Sequence, residues 1–478
     1  MDPGARAGDA SGARFAGYVA GLAAVLGHAD RVEPLKDYCS GLLLPVERKS
    51  VEPMAAAMAP GRTAAKHQSL LHFVGEAPWS DEAVLAKVRD IVQPAIEARG
   101  KIEAWIVDDT GFAKKGVHSV GVARQYCGRL GKTDNCQVAV TLSIANHGAS
   151  LPVAYRLYLP EDWANDAARR AKARVPAEVA FMSKPQIALE QIKAARAAGV
   201  APGVVLGDAG YGHDGALRAG VGAAGLPYAF GVLSTLAVWP PGLEPLPPGN
   251  WSRRGRKATR LRRDAAHKPV SILELARALS GEAWRQVEWR EGSNAPLASR
   301  FAAVRARPAS GDQRRTTPHP PQWLLIEWPE GEKAPTKYWL STLPEDTPIE
   351  ALVDMAKLRW RIERDYEELK SELGLAHFEG RSWRGFHHHA TLCVAAYGFL
   401  IRERAAFPPS EPRSREKPAL SSRPKSRGAP DPNRAPRRKL DRHHAQKAHR
   451  RPRPNPPSLP VLPFHNAQAA ALSAFMTQ

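Results

Sequence analysis

Four cysteines in 478 residues, Cys39, Cys127, Cys136 and Cys393, form no C-x-x-C pair. Neither a zinc ribbon nor a disulfide framework is therefore the organising device. The usage fits thiols kept reduced in a cytoplasm. The chain has no apolar run of membrane-spanning length and does not open on a basic stretch followed by an apolar one. A spanning helix and a secretory signal are thus outside the reading, and no membrane partner is expected. Acidic residues are the scarcer charge: 48 Asp and Glu face 68 Lys and Arg, for a net charge of +20. Such a surplus favours polyanionic partners, nucleic acid ahead of a membrane surface. Hydrophobic residues at 43% still suffice for ordinary cores, and the length suits two or three domains.

The positive charge is unevenly placed. Residues 408–463 hold 15 Lys and Arg, 4 acids and 14 prolines, which leaves +9 of the +20 on residues 1–407. Residues 405–478 therefore read as a disordered, basic, Pro/Arg-rich tail, and residues 1–13 as a disordered N-terminus. Residues 14–100 carry helical spacing in "FAGYVAGLAAVLG" and "SDEAVLAKVRDIVQPAIEARG". The second stretch opens on Ser80 at an N-cap position with acids behind it. Arg62, Lys66 and His67 lie beside an apolar run, so this helical domain suits DNA contact and equally a bundle with a basic edge.

From residue 101 the pattern turns to strands. "AWIVDDTGFAKKG" is a short apolar run ending in two aspartates, and "CQVAVTLSIAN" and "LPVAYRLYLP" alternate as further strands. "PQIALEQIKAARAAG" reads as a helix ending at Gly199, and "GVVLGDAGYG" as another strand ending in an aspartate. Residues 101–224 thus form the first part of an α/β domain with a mixed sheet. Residues 225–345 hold short strands between Pro, Gly and basic loops, a β-rich insertion. Residues 346–404 return as the helical end of the same domain.

Asp108 and Asp208 each end an apolar β-like run. An Asx turn or helix N-cap is the usual work of such a residue. A third acid alters the weighing. In "RWRIERDYEELKSELG", residues 359–374, the apolar residues Ile362, Tyr366, Leu369 and Leu373 continue from Leu358 at steps of three and four, one helical stripe that Gly374 stops. Arg359, Glu363 and Lys370 share the face beside that stripe, where a solvated salt-bridge row is the simpler alternative. Three acids converging at a sheet rim would hold divalent metal for phosphoryl transfer, and the neighbouring cations would hold phosphate.

The set Asp108-x-Thr110, Asp208 and Arg359-x3-Glu363-x6-Lys370 resembles the DDE transposases of bacterial insertion sequences, in the class with the Y-x2-R-x3-E-x6-K signature. The phrases "DDTGFAKKGVHSVGVARQYCGRLGK", "NCQVAV", "LGDAGYG" and "ELGLAHFEGRSWRGFHHHATL" resemble a branch known as DDE superfamily endonucleases, over roughly residues 15–402. The resemblance implies an RNase H-like core interrupted by the β-rich insertion. It implies Asp108, Asp208 and Glu363 as catalytic metal ligands for two Mg²⁺, with Mn²⁺ as a substitute, and Arg359 and Lys370 as DNA phosphate contacts. Asp108 is preferred to Asp109 because the family's ligand stands two residues before the Thr. The implied activity cuts the inverted repeats at the element's ends and joins them to target DNA, as a dimer on DNA in the bacterial nucleoid. Two alternatives remain: a nuclease of the same fold without strand transfer, and a decayed or domesticated copy that only binds DNA. Ala356 occupies the signature's tyrosine position, and the tail is unlike a family C-terminus. His387, His388 and His389 read as packing or phosphate contact more than metal ligands, since neighbours on a helix diverge. The insertion's tryptophans read mostly as core, with one able to stack an extruded base.

Overall fold

The computed structural model describes residues 3–250, 257–290 and 297–407, with side chains from residue 10. Helices α1 (Pro3–Ala23), α2 (Val32–Leu43), α3 (Val51–Met58), α4 (Thr63–Gly75) and α5 (Asp81–Glu97) come first. Strands β1 (Ala104–Ala113), β2 (Ala123–Cys127), β3 (Lys132–Ala145) and β4 (Ser150–Leu157) follow. Helices α6 (Glu161–Ala164), α7 (Ala167–Ala173) and α8 (Lys184–Ala197) then lead to β5 (Val204–Gly207). After it come α9 (Ala209–Gly212), α10 (Gly215–Ala223) and β6 (Tyr228–Val232). The middle segment supplies β7 (Ala237–Trp239), β8 (Val270–Ser271), α11 (Ile272–Ala278), β9 (Arg285–Arg290), β10 (Leu297–Pro308), β11 (Gln322–Trp328) and β12 (Lys337–Ser341). Helices α12 (Ile349–Lys357), α13 (Trp360–Glu367) and α14 (Trp383–Ala406) close the described chain. The tail from residue 408 and Trp251 lie outside the described residues.

One mixed sheet runs through the molecule in the order β2-β3-β1-β5-β6-β12-β11-β10-β7-β8, with β4 on β3 and β9 on β10. β3 is antiparallel to β1, whereas β5 is parallel to β1 and β6 parallel to β5. β12 pairs with β6, so the middle segment prolongs the same sheet. The parallel strand β5 is buried along all four residues, as a central strand covered on both faces must be.

Helix α14 is the central post, buried almost continuously from Gly385 to Ile401 and packed on α5, α2 and β4. Its three histidines face three different partners. The His387 ring accepts from Leu157 N–H at 3.2 Å; His388 stacks on Trp79 at 3.6 Å; His389 meets the Tyr38 hydroxyl at 2.9 Å. Burial, the leading cause, pushes His388 and His389 down to about 4, so both are neutral packing groups at pH 7. Residues 3–13, expected to be disordered, lie instead within α1. The reason visible at its described end is polar: Ser11 Oγ donates to Glu403 Oε2 at 3.2 Å and Arg14 Nη2 to the same atom at 2.6 Å, tying α1 to α14. Ser80 caps α5, accepting from Ala83 N–H at 3.1 Å. Lys66, a candidate DNA contact, pairs with Asp37, and Lys114 donates to the Phe378 carbonyl at 2.8 Å.

Candidate active site

The parallel register of β1 and β5 places the first two acids. Ala104, Trp105 and Ile106 stand opposite Val204, Val205 and Leu206. Two more steps along each chain bring Asp108 level with Asp208. Asp108 is not at a strand end, as the sequence suggested. β1 continues to Ala113 because β3 keeps pairing with it, Asp108 opposite Thr141 and Asp109 opposite Val140. Asp108 is terminal only toward β5, and that open flank makes the site. Asp208 is both an N-cap and a site residue. Its Oδ1 accepts from Gly210 N–H at 2.9 Å and Tyr211 N–H at 3.3 Å, while Oδ2 has no hydrogen-bond partner among the described residues.

The third acid arrives on a broken helix. The expected stripe is buried: Leu358, Ile362 and Tyr366 pack with Ile106 and Leu206 beneath β1 and β5, and Leu369 and Leu373 are fully covered. The helix itself divides. α12 stops at Lys357, α13 starts at Trp360, and Glu368–Glu372 form a π turn. Gly374 then takes a left-handed φ of 70°, the conformation glycine reaches without penalty. Asp365 anchors α13 from below, accepting from Ser150 Oγ at 2.7 Å and the Tyr397 hydroxyl at 2.9 Å.

Arg359 links the acids. Its Nη1 donates to Asp108 Oδ2 at 2.7 Å and its Nη2 to Glu363 Oε1 at 3.2 Å. Lys370 Nζ donates to the Gly111 carbonyl at 3.1 Å and sits 5.2 Å from the Phe112 ring centre. Burial pushes Lys370 down to about 8. Both expected phosphate contacts therefore point inward. A guanidinium between two carboxylates makes charge-assisted bonds, the stronger kind, and lysine finds a carbonyl one strand over. Burial likewise pushes the Asp108 carboxyl up to about 7, against the pull of Arg359 and with the help of Asp208. Asp109 belongs to a different pairing, its Oδ2 lying 2.6 Å from Lys184 Nζ. Glu363 keeps 66% of its side chain exposed.

Sequence reasoning missed Lys184 and Tyr211. Lys184 stands one residue before the expected start of α8; the capping box of Ser183 and Gln186 is the signal that would have included it. Tyr211 follows Asp208 by three residues. Its buried hydroxyl has no hydrogen-bond partner among the described residues, although it lies in the fields of Asp109, Asp108 and Asp208.

Residues 21–296, more than half of the chain, match the model of the DDE superfamily endonucleases. The chain belongs to that family. The match includes Asp108 and Asp208 and stops short of Glu363, whose place in the site rests on the geometry of α13. A probable transposase for insertion sequence element IS701 from Microchaete diplosiphon is 34% identical over 148 residues, taking in 31% of this chain and 36% of that protein. The chain thus spans about a third of the curated relative's length.

For a DDE endonuclease the donor set is chemically apt. Asp108, Asp208 and Glu363 offer only hard oxygens, which suit divalent cations such as Mg²⁺. Arg359 already stands among them as a positive charge, and the Tyr211 hydroxyl is left without a partner beside them. In the arrangement described, Glu363 is turned to Arg359, and no three acids, histidines or cysteines among the described residues are grouped tightly enough for a metal ion. A metal site is completed when Glu363 leaves the guanidinium. No helix among the described residues is long and apolar enough to cross a membrane.

Proposed function

We propose that this endonuclease is the transposase of a bacterial insertion sequence, cutting the element's inverted repeats and joining the freed ends to target DNA. The observation that carries the reading is the register setting Asp108 level with Asp208 while Arg359 ties Asp108 to Glu363. The order β4-β3-β1-β5-β6, antiparallel then parallel, supports an RNase H-like core. Residues 225–345 form its insertion between Asp208 and Glu363, residues 14–100 the helical DNA-contacting domain, and residues 346–404 the core's helical end. A dimer assembled on two ends in the cytoplasm, at the nucleoid, follows from the need to cut both.

Asp108, Asp208 and Glu363 would hold two Mg²⁺, for which Mn²⁺ is the expected substitute. When bound, the cations supply Lewis acidity at the phosphoryl and attacking oxygens. The chain's own work begins with Arg359. Backbone phosphates compete with Asp108 and Glu363 for the guanidinium, and its transfer to phosphate frees both acids. Lys370, two strand residues past Asp109 at Gly111, holds a second phosphate. Lys184 neutralises Asp109, so Asp108 is the carboxylate left to the site.

The test is cleavage, with Mg²⁺, of a DNA fragment carrying the flanking repeats. Cutting by the wild type that disappears in Asp208→Ala and Glu363→Ala supports the reading. Strand-transfer products separate a transposase from a nuclease of the same fold. A DNA-binding copy without catalysis is the second reading, favoured by Ala356, which is buried among Val287, Phe301 and Leu325 where the signature has tyrosine. Binding without cutting would select it.

A further inference from the structure

We propose that Tyr211 is a positioning residue of the acid site, its hydroxyl completing the hold of Asp108 and Asp208 on a hydrated divalent cation. The inference rests on the metal-dependent reading above. Tyr211 is 3% exposed, and its hydroxyl has no hydrogen-bond partner among the described residues. A buried polar group left unpaired costs about 1–3 kcal/mol, so phenylalanine would be the better residue if packing were its whole task. The hydroxyl lies in the fields of three carboxylates, Asp109, Asp108 and Asp208. Burial first, and those charges after it, keep the phenol protonated, which makes it a hydrogen-bond donor at neutral pH. A donor held beside acceptors, yet bonded to none, is suited to the oxygen of something that enters.

The backbone fixes the ring in place. The Tyr211 amide donates to Asp208 Oδ1 at 3.3 Å, so residue and metal ligand move together. The next residue, Gly212, packs so closely that a Cβ there would lie 1.9 Å from the Gly231 carbonyl oxygen. That contact pins α9 to β6 and keeps the phenol turned toward the acids.

Tyr211→Phe removes the hydroxyl and keeps the ring. Mn²⁺ is titrated calorimetrically into the full chain as wild type, Tyr211→Phe and Asp208→Ala, and each is melted without metal. The expected result is about tenfold weaker Mn²⁺ binding by Tyr211→Phe, the low end for loss of an outer-sphere partner, with an unchanged or raised metal-free Tm. If Tyr211→Phe binds Mn²⁺ as the wild type does while Asp208→Ala does not, the proposal is overturned and the metal reading stands. If Asp208→Ala binds as the wild type does, the metal reading falls and takes this inference with it. A lowered metal-free Tm with unchanged Mn²⁺ binding would make the hydroxyl structural and also overturn the proposal.

Discussion

Arg359 is asked to do two things that exclude each other: bind the acids and bind phosphate. With 27% of its side chain exposed it is reachable from solvent, and Glu363 at 66% is more so. Arg359→Ala should therefore tighten Mn²⁺ binding to the DNA-free chain by about tenfold, the worth of one charge-assisted bond (~1.5 kcal/mol), while lowering DNA cleavage. Calorimetry without DNA and gel assays with it measure the two effects. Lysine at this position cannot span both carboxylates, so Arg359→Lys should behave nearer to alanine than to wild type. Asp108 carries a pH signature. Its folded value near 7 stands above the ordinary 3.8, so the folded chain keeps a proton that the unfolded chain releases. Stability from this group is complete below about pH 4 and is lost as pH rises through 7. Asp108→Asn escapes that loss. Its urea midpoint, measured without metal, should gain on the wild type between pH 4 and 7 and then level off.

Elements, more than residues, mark the limit of what the sequence could convey. The stripe Leu358–Leu373 was legible because burial follows helical spacing. The break at Lys357 and the π turn after Glu367 were not, because their cause is the grip of Ser150 and Tyr397 on Asp365 across distant elements. The end of β1 was misplaced for a related reason. Polar residues stop an apolar pattern, but hydrogen bonds from β3 continue past Asp109. Lys184 and Tyr211 escaped notice because their partners are set by packing, and neither sits in a recognisable spacing. Helix α9 lets this be tested. Gly212→Ala would force a Cβ onto the Gly231 carbonyl, displacing α9 and Asp208 together. A loss of about 1–3 kcal/mol in urea unfolding is expected, with Mn²⁺ binding weakened alongside. Helix α14 supplies an acid limit. His388 and His389 sit near 4 instead of 6.5, so the folded chain refuses protons that the unfolded chain takes. Stability should fall as pH drops from 6.5 through 4, and His389→Gln should flatten that slope.

The molecule as a whole is a basic body carrying a more basic extension. Composition alone pointed to a polyanionic partner, while the continuity of the sheet was hidden, since β6 and β12 pair across more than a hundred residues. Of the net +20, residues 408–463 contribute 15 basic against 4 acidic side chains, and residues 1–407 keep +9. Two cation populations with different tasks follow from that division. Those near the acids, Arg359, Lys370 and Lys184, are held in defined bonds and act where the strand is cut. Those beyond residue 407 contribute through counterion release, which depends on charge and not on sequence. Ending the chain after Phe407 should therefore make the plot of log Kobs against log salt shallower, by roughly 0.9 for each phosphate no longer neutralised. The cut position and its dependence on Glu363 should persist. Fluorescence anisotropy across a KCl series, beside a cleavage gel of the shortened chain, measures both. An unchanged salt slope would assign DNA affinity to the body alone; a cut that moved would give the extension a part in choosing the site.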